Sequence, residues 1–274
     1  RASDANIRHR GKISVSDIDL HKHLIGQQGS RLALNTPVLV IDHDALARNV
    51  EAMAAFARSN KLALRPHAKT HKSVDIAKLQ LAAGAVGVCC AKLGEAEALT
   101  EGGVRNILIT SPVVTPQAIA RLVALNGKIN ALRVVADNPD NVDALAAATQ
   151  AAEQSLAVVV DVDPGIRRTG VPSPEAAVAL VQRIAEAPSL RFEGVQYYCG
   201  AQQHIESFAD RRAAIVDRTD YLKTVLQALE DAGHSPEVVT GGGTGTHQID
   251  AELGVLTELQ AGSYVFMDKQ YNDC

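Results

Sequence analysis

Hydrophobic and polar positions fall into a repeating order from about residue 37 onward. Short runs rich in Val, Ile and Leu alternate with Ala-rich stretches of helical period. The short runs predict strands at 37–42, 62–67, 86–91, 106–110, 131–136, 156–162, 191–198, 236–240 and 256–260. The stretches between them predict helices at 45–59, 94–101, 116–125, 138–153, 174–187 and 210–232. Ser173-Pro174 and Asn138-Pro139 each set an N-cap candidate before a first-turn proline, and Gly84, Gly102, Gly103 and Gly233 stand where C-terminal caps belong. This is the βα rhythm of a parallel sheet. Setting the first run aside leaves eight strands, the arithmetic of a (β/α)8 barrel, with an open doubly wound sheet as the alternative. The first 35 or so residues show no clear period and read as an extended arm or a short helix.

Composition narrows this picture. A chain of 274 residues suits one barrel domain, and 46% hydrophobic against 21% charged residues supplies a core, which excludes a disordered or fibrous chain. Only 3% of residues are aromatic and none is Trp, which turns the reading away from an aromatic-anchored β-sandwich. A net charge of −4 offers no general attraction to a nucleic-acid backbone. The longest apolar stretch, 81–91, falls short of the roughly 18 residues of a spanning helix. Cys89 and Cys90 are adjacent while Cys199 and Cys274 stand alone, so there is no Cys-x-x-Cys motif and no disulfide scaffold; a reducing cytoplasm is the expectation.

In a barrel, chemistry gathers at the C-terminal ends of the strands. Those positions hold His67 and Lys69, then Lys92, Ser111, Asp137, Arg167 and Arg168, Tyr198 and His204. The last two strands run into Gly241-Gly242-Gly243-Thr244-Gly245 and Ala261-Gly262-Ser263-Tyr264. Successive glycines flanked by Thr hydroxyls let backbone N–H groups approach an anion, and the loops after strands seven and eight are where barrels often hold phosphate. No Lys follows in the manner of a nucleotide loop, and the dinucleotide Gly-x-Gly-x-x-Gly pattern is absent. The segment Arg65-Pro66-His67-Ala68-Lys69-Thr70-His71-Lys72-Ser73 puts a lysine at a strand end, where an enclosed amine can lose its proton and condense with an aldehyde. A solvated basic loop is the plain alternative. His67 and His71 also have the spacing of a helical metal pair, which Pro66 disfavours.

The 65–73 segment, Gly87-Val88-Cys89-Cys90, Gly241-Gly242-Gly243-Thr244-Gly245 and the run 258–268 together resemble the D-threonine aldolase group, including the 3-hydroxy-D-aspartate aldolases. That group belongs with D-serine dehydratases and alanine racemases among the fold-type III pyridoxal phosphate enzymes, and the resemblance runs from about residue 36 to 268. It implies a barrel at 44–268, with residues 1–43 an N-terminal arm and a strand of a second β domain. Residues 269–274 would begin the connection to a C-terminal β domain that is missing from the chain, which is therefore expected to be partial. It also implies pyridoxal 5'-phosphate as cofactor, with Lys69 and His204 catalytic. Lys69, His67, Arg168, Tyr198, Thr240, Gly242, Gly243, Thr244, Gly262, Ser263 and Tyr264 would bind the cofactor. Arg168 is favoured over Arg167 by its offset to Gly170. The implied reaction is retro-aldol cleavage of D-β-hydroxy-α-amino acids to glycine and an aldehyde, with His204 removing the β-hydroxyl proton. A divalent cation (Mn, Mg or Zn) would assist in the full-length protein, its ligands lying beyond this chain. The expected partners are a small D-amino acid and a second copy in a homodimer, with neither nucleic acid nor membrane. D-serine or D-3-hydroxyaspartate dehydration is the first alternative, and a non-catalytic pyridoxal phosphate-binding protein the second.

Overall fold

The computed structural model describes residues 17–129 and 131–274. They divide into a unit that ends at His43 and a unit Asp44–Cys274. The described part of the first holds a short helix α1 (Asp17–His21) and 3-10 turns at Lys22–Leu24 and Ser30–Ala33, tied by a hydrogen bond from Asn35 N–H to His21 Nε2 (3.1 Å). The start of the predicted arm lies outside the described residues. The predicted strand at 37–42 joins no ladder, and Val38, Leu39, Val40 and Ile41 are 40% to 97% exposed. An extended run becomes a strand only when it pairs with a neighbouring strand, and the run 37–42 pairs with none among the described strands.

In the second unit the predicted alternation is present. Helix α2 (His43–Ser59) leads to β1 (Ala63–Leu64), and then strands and helices follow in turn: α3 (Val74–Ala82), β2 (Val88–Cys90), α4 (Leu93–Glu101), β3 (Asn106–Ile109), α5 (Pro116–Asn126), β4 (Ala131–Ala136), α6 (Pro139–Ala151), β5 (Leu156–Asp161), α7 (Pro174–Ala185), β6 (Leu190–Tyr197), α8 (Phe208–Asp231), β7 (Val238–Gly241), α9 (His247–Leu253), β8 (Glu258–Leu259) and α10 (Lys269–Asp273). All paired strands are parallel, in the order β1-β8-β7-β6-β5-β4-β3-β2. The sheet closes between β1 and β2 through the parallel bridge His67–Cys89, with Val86 N–H donating to Leu64 O and Cys89 N–H to Pro66 O (2.9 Å each). The result is the expected (β/α)8 barrel.

The strands are buried on both faces, as parallel strands under helices must be. Alternation sorts their side chains. Cys90, Ile109, Val134, Val158 and Val160 join the large core under the helices, whereas Cys89, Leu108, Val135 and Val159 form a separate buried layer from four adjacent strands. The rest of the interior is polar. Arg65 Nε donates to Glu258 Oε1 (2.9 Å) and Arg65 Nη1 to Asn106 Oδ1 (2.7 Å), while Arg133 bridges Asn106 to Glu193. A second branch runs from Glu258 through Thr240, Gln260 and Gln196 to Asp161.

Three helices of this unit, α3, α9 and the short α10, have no counterpart among the predicted helices. The residues of α3 run on into the apolar stretch 81–91, which hides a period, and α9 leaves the glycine-rich run with no side-chain N-cap bond. Ser173 and Asn138 do cap, accepting from Ala176 N–H and Asp140 N–H.

Candidate active site

Lys69 lies in a 3-10 turn (Ala68–Thr70) that follows β1, where the chain closes against β2. It borders a cavity of about 200 Å³ with His67, Thr110, Ser111, Arg168, Thr169, Gln196, Tyr198 and Gln260. Lys69 Nζ is 5.3 Å from the centroid of the Tyr198 ring, and Arg168 Cζ is 5.6 Å from the same centroid. The other lysine of the segment is accounted for differently. Lys72 pairs with Glu95, whose other oxygen accepts from Ala91 N–H (2.8 Å), so this ion pair holds it outside the cavity lining. Of the two arginines, Arg168 borders the cavity, while Arg167 has φ +53° and its N–H is held by Asp163 Oδ1 (3.0 Å).

The electrostatics favour uncharged forms at this mouth. Burial lowers the Lys69 pKa, and the Arg168 cation lowers it further. Burial, then the Lys69 charge, pushes His67 well below its usual range. The Tyr198 hydroxyl is raised by burial to about 12 and stays protonated. Asp161, beneath the cavity, is raised by burial to about 6 and accepts from Gln196 Nε2 (2.9 Å).

The glycine-rich run is shaped by close approach. Gly242 has φ +68°, a left-handed conformation that favours glycine, and a Cβ on Gly243 would lie 2.4 Å from Gln203 Oε1. Gln203 is fully buried; its Oε1 accepts from Gly245 N–H (3.0 Å) and its Nε2 donates to Thr246 Oγ1 (2.9 Å). Thr246 Oγ1 in turn donates to Asp250 Oδ2 (2.6 Å), a carboxyl that burial raises to about 7. Thr244 Oγ1 accepts from Tyr264 N–H (3.0 Å), which joins this loop to the Gly262-Ser263-Tyr264 loop. The backbone N–H groups of Gly242, Thr244, Gly262 and Ser263 take no part in the backbone and side-chain bonds of either loop. Four donors without a partner among the described residues, on two joined loops, suit a phosphate, and a nearby lysine of lowered pKa suits an aldehyde. The residues therefore fit pyridoxal phosphate.

Not every expected residue meets at the cavity. The Thr240 hydroxyl is committed to Glu258 Oε1 (2.9 Å) and Gln260 in the barrel interior. The Tyr264 hydroxyl accepts from Gln80 Nε2 (2.9 Å). His204 is exposed, tilted against Tyr271 at a centroid distance of 4.7 Å, and does not border the Lys69 cavity. His67 and His71 face different partners, Thr110 and Ser73, and among the described residues no group of three or more His, Cys, Asp or Glu is placed to hold a metal. Thr110, Gln196 and Gln260 were missed as lining residues. Only their place at or near the strand ends could have marked them. A larger cavity, about 490 Å³, borders the glycine-rich loop at Thr244 and Gly245 between α2 and α9, and shares no residue with the Lys69 cavity.

Comparison with known proteins agrees with this geometry. The family described as alanine racemase, N-terminal domain, matches residues 41–270. A 3-hydroxy-D-aspartate aldolase of Paracoccus denitrificans (strain Pd 1222) is 42% identical over 87% of this chain and 62% of its own length. A D-threonine aldolase of an Arthrobacter species is 39% identical over 89% of this chain and 65% of its own. The crystal structure of D-threonine aldolase from Filomicrobium marinum superposes with a TM-score of 0.85 at 40% identity, covering 88% of this chain and 64% of that one. The chain thus spans less than two thirds of the length of these relatives. With a closed parallel barrel, a lysine after its first strand and a family match over most of its length, the chain belongs to the alanine racemase N-terminal domain family.

Proposed function

We propose that the protein is a pyridoxal 5'-phosphate-dependent aldolase that cleaves D-β-hydroxy-α-amino acids, of the D-threonine or 3-hydroxy-D-aspartate type, to glycine and an aldehyde. One observation carries this: Lys69, with its pKa lowered by burial and by Arg168, borders a cavity, and the two loops with unspent N–H donors reach its turn through Gly262, whose Cβ position is 2.7 Å from His67 O. The relatives named above support the aldolase reading. Pyridoxal phosphate, when bound, supplies an aldehyde for amines and an electron sink for the cleaved Cα–Cβ bond.

The chain's own residues do the rest. Lys69 offers an amine whose pKa burial and the Arg168 cation lower, which favours its nucleophilic neutral form. The N–H groups of Gly242, Thr244, Gly262 and Ser263 would hold the cofactor phosphate. Arg168 and Tyr198 line the cavity with Lys69, and the role of base for the substrate β-hydroxyl proton is assigned to His204 from the family resemblance, its ring packing against Tyr271 outside that lining. Divalent-cation assistance, a homodimer and a cytoplasmic location belong to the same proposal. Among the described residues no group of three or more His, Cys, Asp or Glu is placed to hold the cation, and no described helix is long and apolar enough to cross a membrane.

The test is product analysis with D-threonine and 3-hydroxy-D-aspartate, each with and without manganese. Glycine plus an aldehyde is the expected outcome. A 2-oxo acid would move the protein to the dehydratases, and binding of the cofactor with no product from either substrate would favour a non-catalytic binding protein.

A further inference from the structure

The turn that carries Lys69 is gripped by a histidine, and the grip works with only one placement of the ring proton. His67 precedes the Ala68–Thr70 turn, and its Nδ1 accepts from the Lys69 backbone N–H (3.4 Å). A ring nitrogen accepts only when it carries no proton. At the other end of the ring, Nε2 lies 3.0 Å from Thr110 Oγ1, whose own proton goes to the Cys90 carbonyl (3.1 Å). Thr110 therefore meets Nε2 as an acceptor, and the ring proton sits on Nε2. Both ends of the ring select the same tautomer.

The surroundings select the neutral ring as well. His67 is 7% exposed, and the charged groups that act on it are Lys69, His71, Lys72 and Arg168, all cationic when protonated. A second ring proton would sit on Nδ1, facing the Lys69 N–H that now donates to it, and the cap would be lost.

We propose that Thr110 is a positioning residue: by accepting from His67 Nε2 it fixes the Nε2–H tautomer that caps the Lys69 turn, and so aims the Lys69 amine into the cavity. This rests on the reading of Lys69 as the cofactor lysine, although the ring proton is observable without cofactor. The experiment is long-range ¹H–¹⁵N NMR of histidine-labelled protein, paired with the rate at which Lys69 condenses with added pyridoxal phosphate, followed by visible absorption. In the wild type, His67 shows the neutral Nε2–H pattern between about pH 6 and 8, with no protonation step. In Thr110→Val the pattern changes and the condensation slows about tenfold, the equivalent of one lost hydrogen bond. Thr110→Ser restores both. An Nδ1–H or ordinarily titrating His67 in the wild type overturns the proposal, and so does a folded Thr110→Val protein that keeps either the wild-type pattern or the wild-type rate. If Thr110→Val does not fold, the wild-type pattern and Thr110→Ser decide, the serine variant being required to match the wild type. A wild type with the expected ring pattern that forms no lysine adduct refutes the cofactor reading alone.

Discussion

At the scale of single residues, burial sets the protonation states around the cavity and makes them visible in stability. Asp161 and Asp250 are both almost fully enclosed, and both are raised from 3.8, to about 6 and about 7. A carboxyl whose folded pKa lies above its unfolded value binds more protons in the native state across that interval. Its stabilising contribution is complete below the unfolded pKa and is lost as pH rises through the folded one. These two carboxyls therefore add a downward slope to the thermal unfolding midpoint between about pH 4 and 7, opposite in sign to that of His67, His71 and His247, whose pKa values burial lowers, and Asp161→Asn and Asp250→Asn should each remove part of the downward contribution. A slope unchanged in both variants would show that neither carboxyl holds its proton in the fold. Lys69 follows the same logic with opposite charge: burial and Arg168 favour its neutral form, the one that attacks an aldehyde.

At the scale of elements, the glycine-rich loop is a surface fitted against Gln203. The Cβ of an alanine at 243 would lie 2.4 Å from Gln203 Oε1 and 2.7 Å from its Cδ, and Gln203 is fully buried and has no room to yield. Gly243→Ala should fold but weaken pyridoxal phosphate binding about tenfold or more, read by titration of the visible band, because the loop must shift to admit the methyl. Equal affinity would mean that the loop is not the phosphate site. These elements differ in how far the sequence announces them. The six residues of β4 at 131–136 are predicted with their observed limits, because a β-branched run ends cleanly at Asp137-Asn138-Pro139. The short β1 and β8 have two residues each, yet the bonds between them run on from Ala63 N–H and Thr257 O through Arg65 N–H and Leu259 O to His67 N–H and Ala261 O, so most of each predicted run is paired. The glycine loop and Lys69 were legible because their residue types are costly anywhere else. Gln203, Gln196 and Thr110 were not, because an amide or hydroxyl declares its role only through its partners across the fold.

At the scale of the whole molecule, the barrel closes through His67–Cys89, and that closure draws the site together. It seats the Lys69 turn between β2 and β8, with the Cβ position of Gly262 only 2.7 Å from His67 O, so the lysine and the second phosphate loop are adjacent by construction. The interior beneath is half apolar layer and half polar network, and the network's upper end, Gln196 and Gln260, lines the cavity. The central claim is that Lys69 is the residue joined to pyridoxal phosphate. Loading the protein with the cofactor, reducing with borohydride and mapping peptides by mass spectrometry tests it most directly. The account predicts one phosphopyridoxyl group, on the peptide containing Lys69, and its loss in Lys69→Ala; a stable adduct on Lys72 or elsewhere, or none on the wild-type protein, would contradict it.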